Sequence, residues 1–181
     1  MTRINYIQPY ATDMNIGREY NIACSRVPDD EWICITDQDV CFLRPGTKRQ
    51  IEDVVHVWGD KYSLLGCYTN RVGLLYQCIN GEISNNADFD HHTDIATMHH
   101  RMHYNTIEPL NRVIAGFLML FPKKVWNYVK FAENSIYFDQ KFSTDIMAKG
   151  GKIGLMKGVY VWHSYRLGQP NPRKYTDHLK R

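Results

Sequence analysis

Apolar runs of strand length alternate with segments of helical period along this chain. Residues 3–7 are strand-like and stop at Pro9-Tyr10. Between residues 15 and 27, Ile16, Tyr20, Ala23, Cys24 and Val27 recur at helical spacing, and Pro28-Asp29-Asp30 ends that helix. W-I-C-I-T at residues 32–36 is continuously apolar and predicts a buried central strand, with Asp37 at its carboxyl end. Thr47 is read as the N-cap of a helix whose apolar face is Ile51, Val54, Val55 and Trp58. Residues 62–69 read as a strand and residues 74–79 as another, before the turn Asn80-Gly81.

The second half repeats the pattern. Residues 88–105 are polar and rich in His. Residues 112–121 predict a buried strand, and Pro122 suits the first turn of a helix burying Val125, Trp126 and Val129. Residues 139–149 predict a short helix closed by Gly150-Gly151. Residues 152–162 carry one or two strands around Gly158. Alternating strands and helices predict an α/β domain over residues 1–168, followed by a polar tail over 169–181 containing Pro170 and Pro172.

Composition narrows the classes. The 181 residues suffice for one domain with its own core. The net charge of +3, with no basic run, argues against nucleic acid as a partner. Five Cys, an odd number with no C-x-x-C pair, read as buried thiols of a reducing compartment. The N-terminus lacks a signal-peptide apolar region, and no apolar run approaches a membrane span. The expectation is a cytoplasmic protein without a transmembrane segment.

The candidate chemistry begins at Asp37-Gln38-Asp39. In extended chain, side chains two apart point the same way. Two converging carboxylates repel unless a cation lies between them, and hard Mg2+ or Mn2+ is the natural partner. The competing reading is a polar turn in which both Asp cap backbone amides. Position favours the metal, because open α/β sheets bind ligands at the carboxyl ends of their strands. A second cluster, His91, His92, His99, His100 and His103, includes an i, i+4 pair suited to zinc. It contains no H-E-x-x-H, and the reading adopted is a polar segment over the mouth of the site.

Four segments in order resemble the small inverting GT-A glycosyltransferases (family-2-like). They are N-I-G-R-E-Y-N-I-A with D-D-E-W-I-C-I-T-D-Q-D, then G-F-L-M-L-F-P-K-K-V-W, F-D-Q-K-F-S-T-D-I-M-A-K-G-G-K-I-G, and V-Y-V-W-H-S-Y-R. The resemblance covers about residues 3–45 and 112–166 and implies a trimmed, single-domain GT-A fold, Rossmann-like, with a mixed sheet flanked by helices. Only one helix separates Ile4 from Asp37, so the nucleotide-binding half is shortened. The resemblance implies transfer of a sugar from a nucleoside-diphosphate sugar, UDP-sugars favoured, to a carbohydrate or other hydroxyl acceptor. Asp37, Asp39 and His163 would hold Mn2+ or Mg2+, and Asp145 would be the catalytic base, with Asp139 a supporting or acceptor-contact residue. The donor would meet Asp37, Asp39, Pro9, Tyr10, the turn through Asn15 and Gly17, and Asn70-Arg71. Two alternatives stay open: a sugar-nucleotide or carbohydrate-binding protein with reduced turnover, and a metal-dependent phosphohydrolase.

Overall fold

A computed structural model describes residues 3–168; the tail expected at 169–181 lies outside the described residues. The strands are β1 (Ile4–Ile7), β2 (Trp32–Thr36), β3 (Val40–Cys41), β4 (Leu64–Thr69), β5 (Ile107–Leu110), β6 (Leu118–Pro122) and β7 (Ile153–His163). The helices are α1 (Ile16–Ser25), α2 (Thr47–Trp58), α3 (Phe89–His103), α4 (Lys123–Tyr128) and α5 (Phe138–Ala148). The class is α/β, as the alternation predicts: a seven-stranded mixed sheet of order β1-β2-β6-β4-β7-β3, with β5 on β7.

β2 is central because both its edges are used. It pairs parallel with β1 and antiparallel with β6, and all five of its residues are buried. Its side chains divide by parity, as a pleat requires. Ile33 and Ile35 join one core with Tyr20, Cys24, Trp126, Phe142 and Ile146 from α1, α4 and α5. Trp32 and Cys34 join the opposite core with Ile51, Val54 and Val55 of α2. β6 divides in the same way, Met119 and Phe121 to the first core and Leu118 and Leu120 to the second. Each such burial is worth roughly 1.5–3 kcal/mol, so a strand apolar on both faces is held only between two helix layers.

β7 breaks its parity. Cys67 pairs with Met156, yet the next residue, Tyr68, pairs with Tyr160. Lys157, Gly158 and Val159 are therefore extra in β7. Three is odd, so every later side chain changes face. Ile153 and Leu155 lie in the first core, whereas Val159 and Val161 lie in the second. Gly158 makes the bulge possible: a Cβ there would sit 2.5 Å from Gln50 Nε2 and 2.7 Å from the His103 carbonyl oxygen. Gln50 fastens it, donating from Nε2 to the Gly158 carbonyl at 2.8 Å.

Several expected elements differ. Residues 74–79 form no strand; 3-10 turns occupy Leu75–Gln77 and Ile79–Gly81, and Asn80 has a positive φ of 56°. The strand expected over 112–121 begins only at Leu118, because the Ile114 and Ala115 amides ahead of it go to the side chains of Ser143 and Gln77 and not to a strand. Pro122 closes that strand and flanks α4, and does not sit in its first turn. Thr47 is the first helical residue; its hydroxyl donates back to the Arg44 carbonyl, while left-handed Gly46 takes the cap position. The short strands β3 and β5 had no apolar run to announce them.

α1 is locked to residues 131–134. Asn15 caps α1 by accepting from the Arg18 amide, and its amide group exchanges two 2.9 Å hydrogen bonds with Asn134. Gly17 allows the close approach: its added Cβ would lie 2.1 Å from the Ala132 carbonyl oxygen. Gly17→Ala is expected to cost about 2–3 kcal/mol through forced backbone displacement, lowering Tm by roughly 5–10 °C in a denaturation series.

Candidate metal centre

Three side chains converge at the carboxyl end of β2. Asp37 follows the strand, its amide donating to the Phe117 carbonyl at 3.0 Å. A turn then brings the chain back, the Val40 amide donating to the Asp37 carbonyl at 3.3 Å. β3 lies antiparallel against the end of β7, with Val40 opposite His163 and Cys41 opposite Trp162. That ladder carries Asp39 to His163 across 124 positions of sequence. His163 Nε2 is 3.2 Å from Asp39 Oδ1 and 4.0 Å from Asp37 Oδ2. One ligand atom from each residue lies within 4.8 Å of the others.

The imidazole is fixed from behind. His163 is buried, with its ring stacked between Phe117 at 5.3 Å and Tyr165 at 5.5 Å. Its Nδ1 lies 2.9 Å from the Arg71 carbonyl oxygen. A carbonyl only accepts, so Nδ1 carries the proton. In the neutral ring Nε2 is then a lone pair facing two carboxylates. Three acceptors turned inward require a proton or a cation between them. Around one divalent ion at about 2.1 Å, neighbouring ligand atoms stand roughly 3 Å apart, so this donor set fits Mn2+ or Mg2+ with small movements.

Each carboxylate is also held from outside. The Tyr20 hydroxyl donates to Asp37 Oδ1 at 3.0 Å, and the Ser164 hydroxyl to Asp39 Oδ2 at 3.2 Å. Burial pushes the Asp37 carboxyl above its ordinary value, with help from the Asp39 charge and against the pull of His163 and Tyr20. Burial also raises Asp39, but His163 and Ser164 outweigh it and hold that carboxyl below its ordinary value.

A cleft of about 200 Å³ opens beside the centre. Asp37, His163, Asp139 and Gln140 supply its polar wall, and Ile16, Phe117, Tyr137 and Tyr165 are among its apolar lining. Asp139 lies in the first turn of α5, accepting from the Gly116 amide at 2.9 Å and the Gln140 amide at 2.7 Å. Burial above all, with the charge of Asp37, pushes its carboxyl up to about 6 despite those bonds.

The other expected site residues sit elsewhere. Asp145 does not line the cleft; it lies six positions from Asp139, about 240° round the helix, and pairs with Lys141. Pro9 and Tyr10 do not line it either, and Tyr10 is 67% exposed. Asn15 and Gly17 serve the junction with residues 131–134 described above. Asn70 and Arg71 are buried and support the centre from behind. Asn70 Oδ1 accepts the His163 amide at 2.7 Å, and the Arg71 guanidinium donates to the carbonyls of Tyr165 and Arg166. Sequence reasoning missed Tyr20 and Ser164. Tyr20 reads as one more apolar position of α1, and only the adjacency of Ser164 to His163 was a signal.

The histidines of residues 91–103 form no metal cluster among the described residues. Three of them fasten α3 to its neighbours. Buried His92 bridges the Tyr160 hydroxyl and the Asn86 carbonyl, His99 meets the Lys157 carbonyl, and His100 meets Gln50 Oε1. No protein-family model matches the chain, and the search of curated proteins returned no match.

The raised Asp139 value carries a stability consequence. With the folded value near 6 and the ordinary value 3.8, the folded state holds this proton more tightly than the unfolded chain. Its contribution is most favourable below about pH 4 and is lost as pH rises through 6. In metal-free protein, Asp139→Asn should gain about 1–3 kcal/mol on wild type between pH 4 and pH 7. Paired urea titrations at the two pH values measure that change.

Proposed function

We propose that the chain is a metal-dependent glycosyltransferase. It moves a sugar from a nucleoside-diphosphate sugar, preferably a UDP-sugar, to an acceptor hydroxyl with inversion at the anomeric carbon. The observation that carries the metal half is the convergence of His163 Nε2, whose ring is oriented by the Nδ1–H bond to the Arg71 carbonyl, on oxygens of Asp37 and Asp39. The sugar-nucleotide half rests on the four-segment resemblance and on the position of the centre at the carboxyl end of a central strand. Asp37, Asp39 and His163 hold the Mn2+ or Mg2+. The bound ion supplies positive charge against the leaving nucleoside diphosphate.

The chain's own groups do the rest. Asp139 replaces Asp145 as the proposed base, since it shares the cleft with Asp37 and His163 and Asp145 does not. A carboxyl near 6 is largely ionised at pH 7 and basic enough to accept the proton of an incoming hydroxyl. That oxygen forms the new bond to the anomeric carbon, and the bond to the diphosphate oxygen breaks with its electron pair. Tyr137 and Tyr165 line the cleft and offer ring faces to a sugar.

A cytoplasmic setting belongs to the same proposal. All five cysteines are free thiols, which suits a reducing compartment. Among the described residues no helix is long and apolar enough to cross a membrane.

A thermal-shift panel of nucleoside diphosphates and UDP-sugars, with and without Mn2+, tests the reading. A Mn2+-dependent rise in Tm is expected, abolished by Asp37→Asn. Asp139→Asn should lower kcat about 10²–10⁴-fold, with Asp145→Asn within about threefold of wild type. No shift with any nucleotide sets the sugar-nucleotide reading aside. Release of phosphate from monoesters, lost in Asp37→Asn, points to the phosphohydrolase instead.

A further inference from the structure

Each carboxylate of the centre has one oxygen held by a hydroxyl and the other turned toward His163. Asp37 Oδ1 accepts from the Tyr20 hydroxyl at 3.0 Å, while Oδ2 is the oxygen near His163 Nε2. Asp39 Oδ2 accepts from the Ser164 hydroxyl at 3.2 Å, while Oδ1 is the oxygen near His163 Nε2. The two hydroxyls come from unrelated places, α1 and the residue after β7, and make the same arrangement.

Both are held firmly. Tyr20 is 1% exposed and packed edge-on against Phe131 and Phe138, with ring centroids 5.2 and 5.1 Å away. Its phenol has no room to swing off Asp37. The Ser164 amide donates to the Asp39 carbonyl at 3.1 Å, so its hydroxyl sits on backbone tied to the residue it serves.

We infer that Tyr20 and Ser164 set the cation selectivity of this centre, by occupying one oxygen of each carboxylate so that each offers a single oxygen to the ion. This rests on the metal reading above. A carboxylate with both oxygens free can turn edge-on and bind through the pair, which suits a large ion such as Ca2+ with six to eight ligands at about 2.3–2.6 Å. Small ions of the Mg2+ and Mn2+ kind take near-octahedral positions at about 2.0–2.1 Å, through single oxygens. With each second oxygen held by a hydroxyl, the centre presents two oxygens and one imidazole nitrogen. Three octahedral positions are left for ligand oxygens and water. The nitrogen favours Mn2+ over Ca2+, and the two hydroxyls enforce that preference. Tyr20 and Ser164 are positioning residues, acting on the ion only through Asp37 and Asp39.

The test uses the whole chain with Mn2+ or Ca2+ alone. Dissociation constants come from the electron paramagnetic resonance signal of free Mn2+ and from calorimetry for Ca2+. Tyr20→Phe and Ser164→Ala should each weaken Mn2+ binding about tenfold. Ca2+ binding should stay level or tighten, so the Mn2+-to-Ca2+ ratio falls tenfold or more. Ser164→Thr keeps the hydroxyl and should keep the wild-type ratio. Water-proton relaxation by bound Mn2+ should drop in the two deletions, as a second carboxylate oxygen displaces a bound water. If Tyr20→Phe does not fold by circular dichroism, Ser164→Ala, at a half-buried position, decides alone. Wild type that binds Mn2+ while the variants keep its ion ratio overturns this inference and leaves the metal centre standing. Wild type that takes up no Mn2+ at millimolar concentration overturns the metal centre and the inference with it.

Discussion

One hydrogen bond sets the geometry of the Asp37, Asp39 and His163 cluster: the His163 Nδ1–H to the Arg71 carbonyl. Because a carbonyl cannot donate, it places a proton on Nδ1 and turns Nε2 outward. Everything around it preserves that choice. Phe117 and Tyr165 hold the ring plane, Asn70 holds the His163 amide, and the Arg71 side chain fastens the two residues that follow Ser164. Nε2 then meets two carboxylates, and a proton or a cation between them reconciles the three.

That bond depends on the sheet. β7 must deliver His163 to the face that carries Phe117, and the three-residue bulge at Gly158 makes it do so. β3 must return the chain against β7, since that ladder sets Asp39 beside His163. Two short features, a bulge and a two-residue strand, therefore build a site from residues far apart in sequence. The energetic burden lies elsewhere, in the two apolar layers that β2, β4 and β6 share with the helices. A rigid sheet pins the ends of its strands, and its loops then place polar groups with little freedom.

Legibility followed burial. Elements with a strong apolar period were readable: β2 from W-I-C-I-T, α1 from its spaced apolar residues, α5 from its stop at Gly150-Gly151. Residues 74–79 misled because buried Gln77 and Cys78 pack as turns against β4, and an apolar run shows burial without showing conformation. Asp37 and Asp39 were legible because spacing and position in the chain mark them. Asp139 was named only as an accessory, because its place in the cleft and its raised carboxyl come from burial beside Gly116 and Asp37, which no local pattern encodes. Asp145 drew attention by motif position, yet its helix turns it toward Lys141. The histidines of α3 offered an i, i+4 ligand spacing but were read as a polar segment, and the partners of His92, His99 and His100 are carbonyls, a tyrosine and a glutamine.

The sequence by itself determined the α/β class, the central strand and the carboxylate pair at its end, because these rest on local period and on neighbours two residues apart. The tertiary structure alone decided which histidine faces that pair, which of its nitrogens is free, which oxygens of Asp37 and Asp39 are already taken, and which acid of α5 enters the cleft. Those outcomes depend on register, on an odd number of inserted residues and on the angle around a helix. A shift of one residue reverses each of them, and contacts between 17 and 125 positions apart in the chain set their phase.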